Sequence, residues 1–446
     1  MARLFGTDGA RGVANTELTC QTAFLLGQAA VAQLGKTIVL GKDTRLSGDM
    51  LEASVVAGIT SMGGTALLAG IIPTPAIALL VREMYCDAGI VISASHNPPE
   101  YNGIKFFNSE GFKLTDEAED ALEAFVSKGG ASSEELPAGD EVGVTIPIEE
   151  AQELYIEHAV QTVLSQDIDF KGLKIALDTG HGASSLTSPE AFERLGAEVV
   201  AINIDFNGVD INVGCGSTHL EPLMELMKET KADIGVAHDG DADRVLFVSP
   251  DGSIIDGDTV LAVCAQDLKN RNDLPGSTVV TTIMCNLGFV HGMRDAEIST
   301  LQAKVGDRYV LEQMREGGYI LGGEQSGHTI FLRYNSTGDG LVTACQFIAA
   351  CRRMGIDFNQ AAQAINHYPQ TLINVRLASK EGIVEHSDLL EAVKIAEEEL
   401  GEQGRVLIRP SGTEPVIRVM VESACEQQAQ EIAQRLAAVV EKLGTK

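Results

Sequence analysis

The chain has 446 residues, too many for one hydrophobic core, so two to four domains are expected. A formal charge of -30 excludes a broad basic face for nucleic acid or an anionic membrane, and an anionic ligand would need a local cluster of cations. The eight cysteines show no C-x-x-C spacing and the N-terminal residues hold no apolar leader, which predicts reduced thiols, no structural zinc and a cytoplasmic location.

The N-terminal Phe5-Gly-Thr-Asp-Gly-Ala-Arg11-Gly12 sets glycines around Asp8 and Arg11. It could cradle phosphate, but it is not G-x-x-x-x-G-K-[ST], so a P-loop is excluded. A short apolar run over 36–43 opens a first unit; an amphipathic stretch, Met50 to Met62, predicts a helix, and runs over 64–69 and 88–92 follow. The longest apolar stretch, Ala66 to Val81, is broken by Gly70, Pro73 and Pro75 and predicts no membrane span. The same order of runs returns at 173–178, 197–203 and 233–237, and again at 277–283, 297–303 and 319–321. Strand, helix, strand at this spacing predicts three similar α/β domains with mixed, mostly parallel sheets.

Ligands of such sheets sit beyond the carboxyl ends of the strands, and there the third runs lead into Ser95, Asp239 and the segment 323–328. The Gly, Ser, Pro and acid-rich stretch Lys128 to Gly143, the turn Pro250-Asp-Gly252 and the pair Tyr368-Pro369 mark domains over 1–145, 146–252 and 253–367. From Thr371 the order changes to strand, acidic helix (Glu385 to Leu400), strand (Arg405 to Ile408), strand (Val416 to Val421) and helix (Gln427 to Leu443). This predicts a small α+β domain over 368–446.

Ser93-Ala-Ser95-His-Asn-Pro98 is a small, polar, turn-forming loop, and a hydroxyl displayed there can carry a phosphoryl group. The alternative for either serine is a local backbone cap. Asp239-Gly-Asp241-Ala-Asp243-Arg244 offers three carboxylates at alternate positions. An EF-hand requires Gly at its sixth position and Glu at its twelfth, where this chain has Arg244 and Pro250, so Mg2+ engaged with a phosphate fits better. Lys105 is near enough in sequence to neutralise a phosphoserine. Glu324-Gln-Ser326-Gly-His328 suits sugar hydroxyls and proton traffic, and Arg409-Pro-Ser411-Gly412-Thr413-Glu-Pro-Val-Ile-Arg418 combines an anion nest with two guanidiniums.

In this order the five motifs resemble the α-D-phosphohexomutase superfamily over essentially the whole chain. The N-terminal motif, Lys304-Val-Gly-Asp-Arg-Tyr-Val310 and Gly-Glu-Gln-Ser-Gly look most like its branch that interconverts glucosamine 6- and 1-phosphates for UDP-N-acetylglucosamine synthesis; a branch acting on mannose or glucose phosphates is the alternative. The resemblance implies that Ser95 is a phosphoserine donor and that its phosphate joins Asp239, Asp241 and Asp243 around one Mg2+ per chain. It further implies that Glu324 and Ser326 hold sugar hydroxyls and that Arg409, Ser411, Gly412, Thr413 and Arg418 clamp the non-reacting phosphate. Arg244 is expected to bind substrate, Lys105 and His328 are the candidates for proton transfer, and Arg11 is expected to act electrostatically. Glucosamine 1,6-bisphosphate or another hexose 1,6-bisphosphate would serve as intermediate and primer, with a homodimer as the candidate assembly. The sequence departs from the usual pattern at Ala10, at Ala242 where Gly is common, at Asp178-Thr-Gly-His-Gly, and at His238, which stands beside the metal loop and could alter local pKa values; none of these removes a ligand, and they read as drift.

Overall fold

A computed structural model describes residues 4–6, 8–377, 379–411 and 415–444. The chain forms two compact units, one of residues 4–284 and 297–364, the other of 285–296 and 365–444.

The first unit holds three sheets with one repeated topology. In the first, the strands Thr37–Lys42, Thr65–Ile71 and Ala88–Ile92 are parallel, and Tyr101–Asn108 pairs antiparallel with Ala88–Ile92. Along the sheet they stand fourth, third, first, second. The same order recurs in Val245–Val248, Ile234–His238, Lys174–Asp178 and Glu198–Ile202, and in Thr329–Phe331, Leu321–Gly323, Thr278–Thr282 and Ser299–Ala303. The three parallel strands of each of these sheets fall where the sequence predicts them, to within two residues. The antiparallel strand Tyr101–Asn108 carries no run that the repeat announces, and neither does the edge ribbon Phe5–Gly6 with Gly9–Val13 that extends the first sheet beyond it.

The motif strands are the central ones. Every residue of Ala88–Ile92 and of Ile234–His238 is buried, as helices covering both faces of a parallel sheet demand. Helix starts are fixed locally: Thr19, Asp256 and Asp339 each accept a backbone N–H from the first turn of the helix they precede. The helices Cys20–Gln33 and Gly48–Ser61 approach at Gly27 and Gly58, where a Cβ would lie 2.3 Å from Val55 O and 2.1 Å from Phe24 O respectively.

In the second unit, Gln370–Arg376, Val416–Ser423 and Gly404–Pro410 form an antiparallel sheet with Val416–Ser423 in the middle, joined by the helices Ser387–Leu400 and Glu426–Gly444. The observed elements match the predicted α+β order to within a few residues. The helix Leu287–Asp295 also belongs to this unit, with Asn286 bonded to both the N–H and C=O of Tyr368. Among the described residues no helix is long and apolar enough to cross a membrane.

Gly58→Ala decides between propensity and packing. Alanine is the better helix former by about 1 kcal/mol, but the clash is with backbone that cannot turn aside, and overpacking costs about 1–3 kcal/mol. G58A is therefore expected to lower the thermal midpoint, and a raised midpoint would refute the close approach.

Candidate functional site

Each of the three repeated sheets contributes the loop between its last parallel strand and the antiparallel strand that follows: 93–100, 239–244 and 324–328. In the first loop Ser95 is buried in a left-handed backbone conformation, φ +52°. Its Oγ donates to Asp239 Oδ2 at 2.6 Å and lies 3.3 Å from His96 Nδ1. Ser93 Oγ instead accepts from Ser95 N at 2.9 Å and donates to Asp43 Oδ2 at 2.6 Å, so Ser93 is the backbone cap and Ser95 is the hydroxyl presented to the acids. Burial, with Arg244 and Arg11 nearby, lowers the His96 pKa to about 4, which leaves the ring neutral.

Asp239, Asp241 and Asp243 are all buried, and one ligand atom from each lies within 4.8 Å of the others. Gly240 permits the approach to the serine loop, since a Cβ there would stand 2.8 Å from Ser95 O. Asp241 Oδ2 is held by Thr74 Oγ1 at 2.6 Å and Lys105 Nζ at 2.8 Å. The buried Asp241 Oδ1 and Asp243 Oδ1 have no hydrogen-bond partner. Buried acceptors left unsatisfied are costly, and a set of hard oxygen donors so arranged fits a divalent cation. Burial, then the charges of Asp243 and Asp241, push the Asp239 carboxyl well above its usual range. Burial would also raise Asp243, but His328, Lys105 and Arg244 bring it below.

A cleft of about 190 Å³ opens beside the triad, lined by Asp8, Arg11, His96, Lys113, Asp243, Arg244, Val305, Gly306, Asp307, Glu324 and His328. Its charges are interlocked. Lys113 bridges Asp8 (2.6 Å) and Asp307 (2.5 Å), Lys105 reaches Asp8 at 3.1 Å, and Arg11 pairs with Asp8. Burial would lower the Lys105 pKa, but Asp241, Asp8 and Asp243 together raise it, so its ammonium stays charged. His328 lies between Asp243 (Nδ1, 3.6 Å) and Asp307 (Nε2, 3.4 Å), and those carboxylates override burial to raise its pKa. Gly338 N–H donates to Nε2 at 3.2 Å, which in the neutral ring leaves the proton on Nδ1. Glu324 Oε1 accepts from Gly306 N at 3.2 Å, while Ser326 is exposed on the same turn and is not among the residues lining the cleft.

In the second unit Arg409 and Arg418 are direct partners across two antiparallel strands. Burial and the Arg418 charge lower the Arg409 pKa, and like charges set opposite favour an anion between them. Ser411 is buried there and its carbonyl accepts from Lys380 Nζ at 2.5 Å. Gly412 and Thr413 lie outside the described residues.

Four sequence signatures described as phosphoglucomutase/phosphomannomutase domains I, II, III and C-terminal match residues 2–132, 153–252, 256–368 and 372–439. The chain is 50% identical over 450 residues to a phosphoglucosamine mutase of Clostridium novyi and 46% identical over 449 residues to that of Clostridium acetobutylicum, covering 99% of each pair. The chain belongs to the phosphoglucosamine mutase family. Among solved structures, a phosphoglucomutase/phosphomannomutase family protein from Burkholderia thailandensis superposes with a TM-score of 0.82 at 26% identity, over 99% of this chain and 98% of that one. An Aspergillus fumigatus N-acetylphosphoglucosamine mutase, solved with GlcNAc-6P and magnesium, shares the fold at a TM-score of 0.69 and 16% identity, over 99% and 96% of the two chains.

Two departures from the family pattern gain a physical account. Ala242 has φ +55°, a left-handed backbone that explains why glycine is common there. His238 does not tune the triad. Its Nδ1 donates to Arg244 O and its Nε2 accepts from Ser188 Oγ, both at 3.2 Å, and burial lowers its pKa to about 4. It is a neutral brace for the loop.

Sequence reasoning passed over Asp43, Arg45, Thr74, Lys113 and Asn212, and gave no role to Asp307 although it lies in the stretch Lys304 to Val310. Asp43 and Arg45 follow the carboxyl end of the strand Thr37–Lys42, the same signal that marks the three motif loops. Thr74 and Asn212 carry no local signal.

In the metal-free protein the folded pKa of Asp239 lies above its unfolded value of about 4. Its contribution to stability is thus present below that value and is lost as pH rises through the folded pKa. Asp239→Asn removes one of the repelling charges, so D239N is expected to melt higher than the parent at neutral pH without metal and to gain less from added divalent cation. A lower metal-free midpoint would contradict repulsion within the triad.

Proposed function

We propose that Ser95 is the phosphoryl carrier in a mutase that interconverts glucosamine 6-phosphate and glucosamine 1-phosphate. The observation that carries this reading is the 2.6 Å bond from Ser95 Oγ into the buried triad, two of whose oxygens accept no hydrogen bond. The proposed division of labour is a phosphoserine domain over 1–145, a metal domain over 146–252, a sugar-recognition domain over 253–367 and a phosphate-binding domain over 368–446.

Transfer breaks the bond from phosphorus to Ser95 Oγ and forms one to the free sugar hydroxyl, whose proton leaves to a base. The product is glucosamine 1,6-bisphosphate. After the sugar turns, its other phosphoryl group returns to Ser95 Oγ and the freed sugar oxygen takes a proton. Such chemistry depends on positioning and charge neutralisation. A Mg2+ held by Asp239, Asp241, Asp243 and a phosphoserine oxygen would supply positive charge against the transferring phosphoryl oxygens. Lys105, held charged by Asp241 and Asp8, adds a fixed cation and is not free to act as the base. His328 lines the cleft and is the group assigned to proton exchange. Arg11 and Arg244 face the phosphate, Glu324 and Ser326 take sugar hydroxyls, and Arg409, Ser411, Gly412, Thr413 and Arg418 hold the non-reacting phosphate.

The purified protein with Mg2+ and a hexose 1,6-bisphosphate primer should convert glucosamine 6-phosphate with a higher kcat/KM than glucose or mannose phosphates and without releasing free phosphate. Preference for a neutral sugar would move it to the sibling mutases. Ser95→Ala should lower kcat by more than about 10³-fold, and full activity in S95A would end the carrier assignment.

A further inference from the structure

Arg45 is more deeply engaged with the serine loop than any residue of the motifs. Its side chain is buried with Asp43, Nε to Oδ2 at 2.9 Å, just beyond the strand Thr37–Lys42. Its Nη1 donates to Pro98 O (2.5 Å) and Tyr101 O (3.0 Å), and its Nη2 to Ser95 O (2.9 Å) and Asn97 O (2.8 Å). One planar fork therefore grips four carbonyls in and beside the loop. Through Ser93 Oγ, Asp43 also holds the Ser95 N–H, so both faces of the reactive residue's backbone trace to a single buried ion pair.

A second donor reaches the same carbonyl from the metal-bearing half of the unit, where Asn212 Nδ2 bonds Ser95 O at 2.9 Å. Nearby, Thr44 Oγ1 donates to His181 O at 2.6 Å and Leu46 N to Gly208 O at 2.9 Å. The segment 43–46 thus ties the serine loop to the loops around the triad. Ser95 needs such restraint, because a non-glycine residue at φ +52° relaxes toward negative φ unless its surroundings hold it. With the backbone fixed, only rotation about χ1 moves Oγ relative to the acids.

We infer that Arg45, with Asn212, is a positioning residue that locks the Ser95 peptide in its left-handed conformation and so sets the in-line geometry of phosphoryl transfer. The inference rests on Ser95 being the phosphoryl carrier.

Arg45→Lys keeps a cation against Asp43 but cannot reproduce the planar fork, and Asn212→Ala removes the second donor while leaving the ion pair intact. Full-length parent, R45K and N212A are assayed with glucosamine 6-phosphate, Mg2+ and glucose 1,6-bisphosphate, and intact mass reports phosphoserine in each. A misplacement of about 1 Å costs on the order of 10²-fold in rate, so R45K should lose kcat on that order, and N212A about tenfold, with KM within about threefold of the parent. Thermal midpoints should stay within a few degrees and Ser95 should remain phosphorylated. A folded R45K with parental kcat, or a rise in KM alone, overturns the inference; should R45K fail to fold, parental kcat in N212A overturns it. A parent that turns over with no phosphoserine overturns the carrier assignment, whereas a phosphorylated parent with fully active variants overturns the clamp alone.

Discussion

Three carboxylates buried within 4.8 Å of one another dominate the first unit, and much of the surrounding structure is organised around that burden. Two like charges 4 Å apart repel by about 4 kcal/mol at the effective dielectric of a protein. Lys105 and Thr74 answer Asp241, Ser95 answers Asp239, and His328 with Arg244 answers Asp243. The two Oδ1 atoms of Asp241 and Asp243 nevertheless accept no hydrogen bond, which makes them the natural place for a cation to engage. The cost is concentrated at the candidate site.

The repeated sheet explains how the parts converge. In all three copies the motif loop is the connection from the last parallel strand to the antiparallel strand beside it, and the copies differ in what that loop carries: a hydroxyl, three acids, or a mixed polar turn. The third loop adds an imidazole, His328, facing acids from two other segments, Asp243 and Asp307. Opposing charges around this cleft are paired with one another and are thus preorganised, which spares the rearrangement that free ions would undergo during reaction.

Cations are outnumbered in a chain of charge -30, 33 against 63 acids, and several of them gather at two places. Arg11, Lys113 and Arg244 line the cleft, and Arg409 faces Arg418 in the second unit. Elsewhere arginine serves structure, as in the pairing of Arg353 with Asp267. Arg45 joins both uses, being neutralised by Asp43 while its remaining donors shape the serine loop.

Sequence alone determined the three-fold order of parallel strands, the α+β module and the motif residues, because apolar periodicity and turn chemistry act over a few neighbouring positions. Ser95, the triad and Arg409-Pro-Ser411 were legible because each packs chemically distinctive groups into one loop. The antiparallel fourth strand of the first sheet was not, since Tyr101–Asn108 mixes Asn, Gly and Lys with its aromatics and takes its place from its partner strand. Which serine faces the acids, that His238 is a brace, and that Arg45, Thr74 and Asn212 serve the site were decided by tertiary structure. Those roles depend on hydrogen bonds between residues up to 167 positions apart, as from Thr74 to Asp241, and no local pattern encodes a partner so distant.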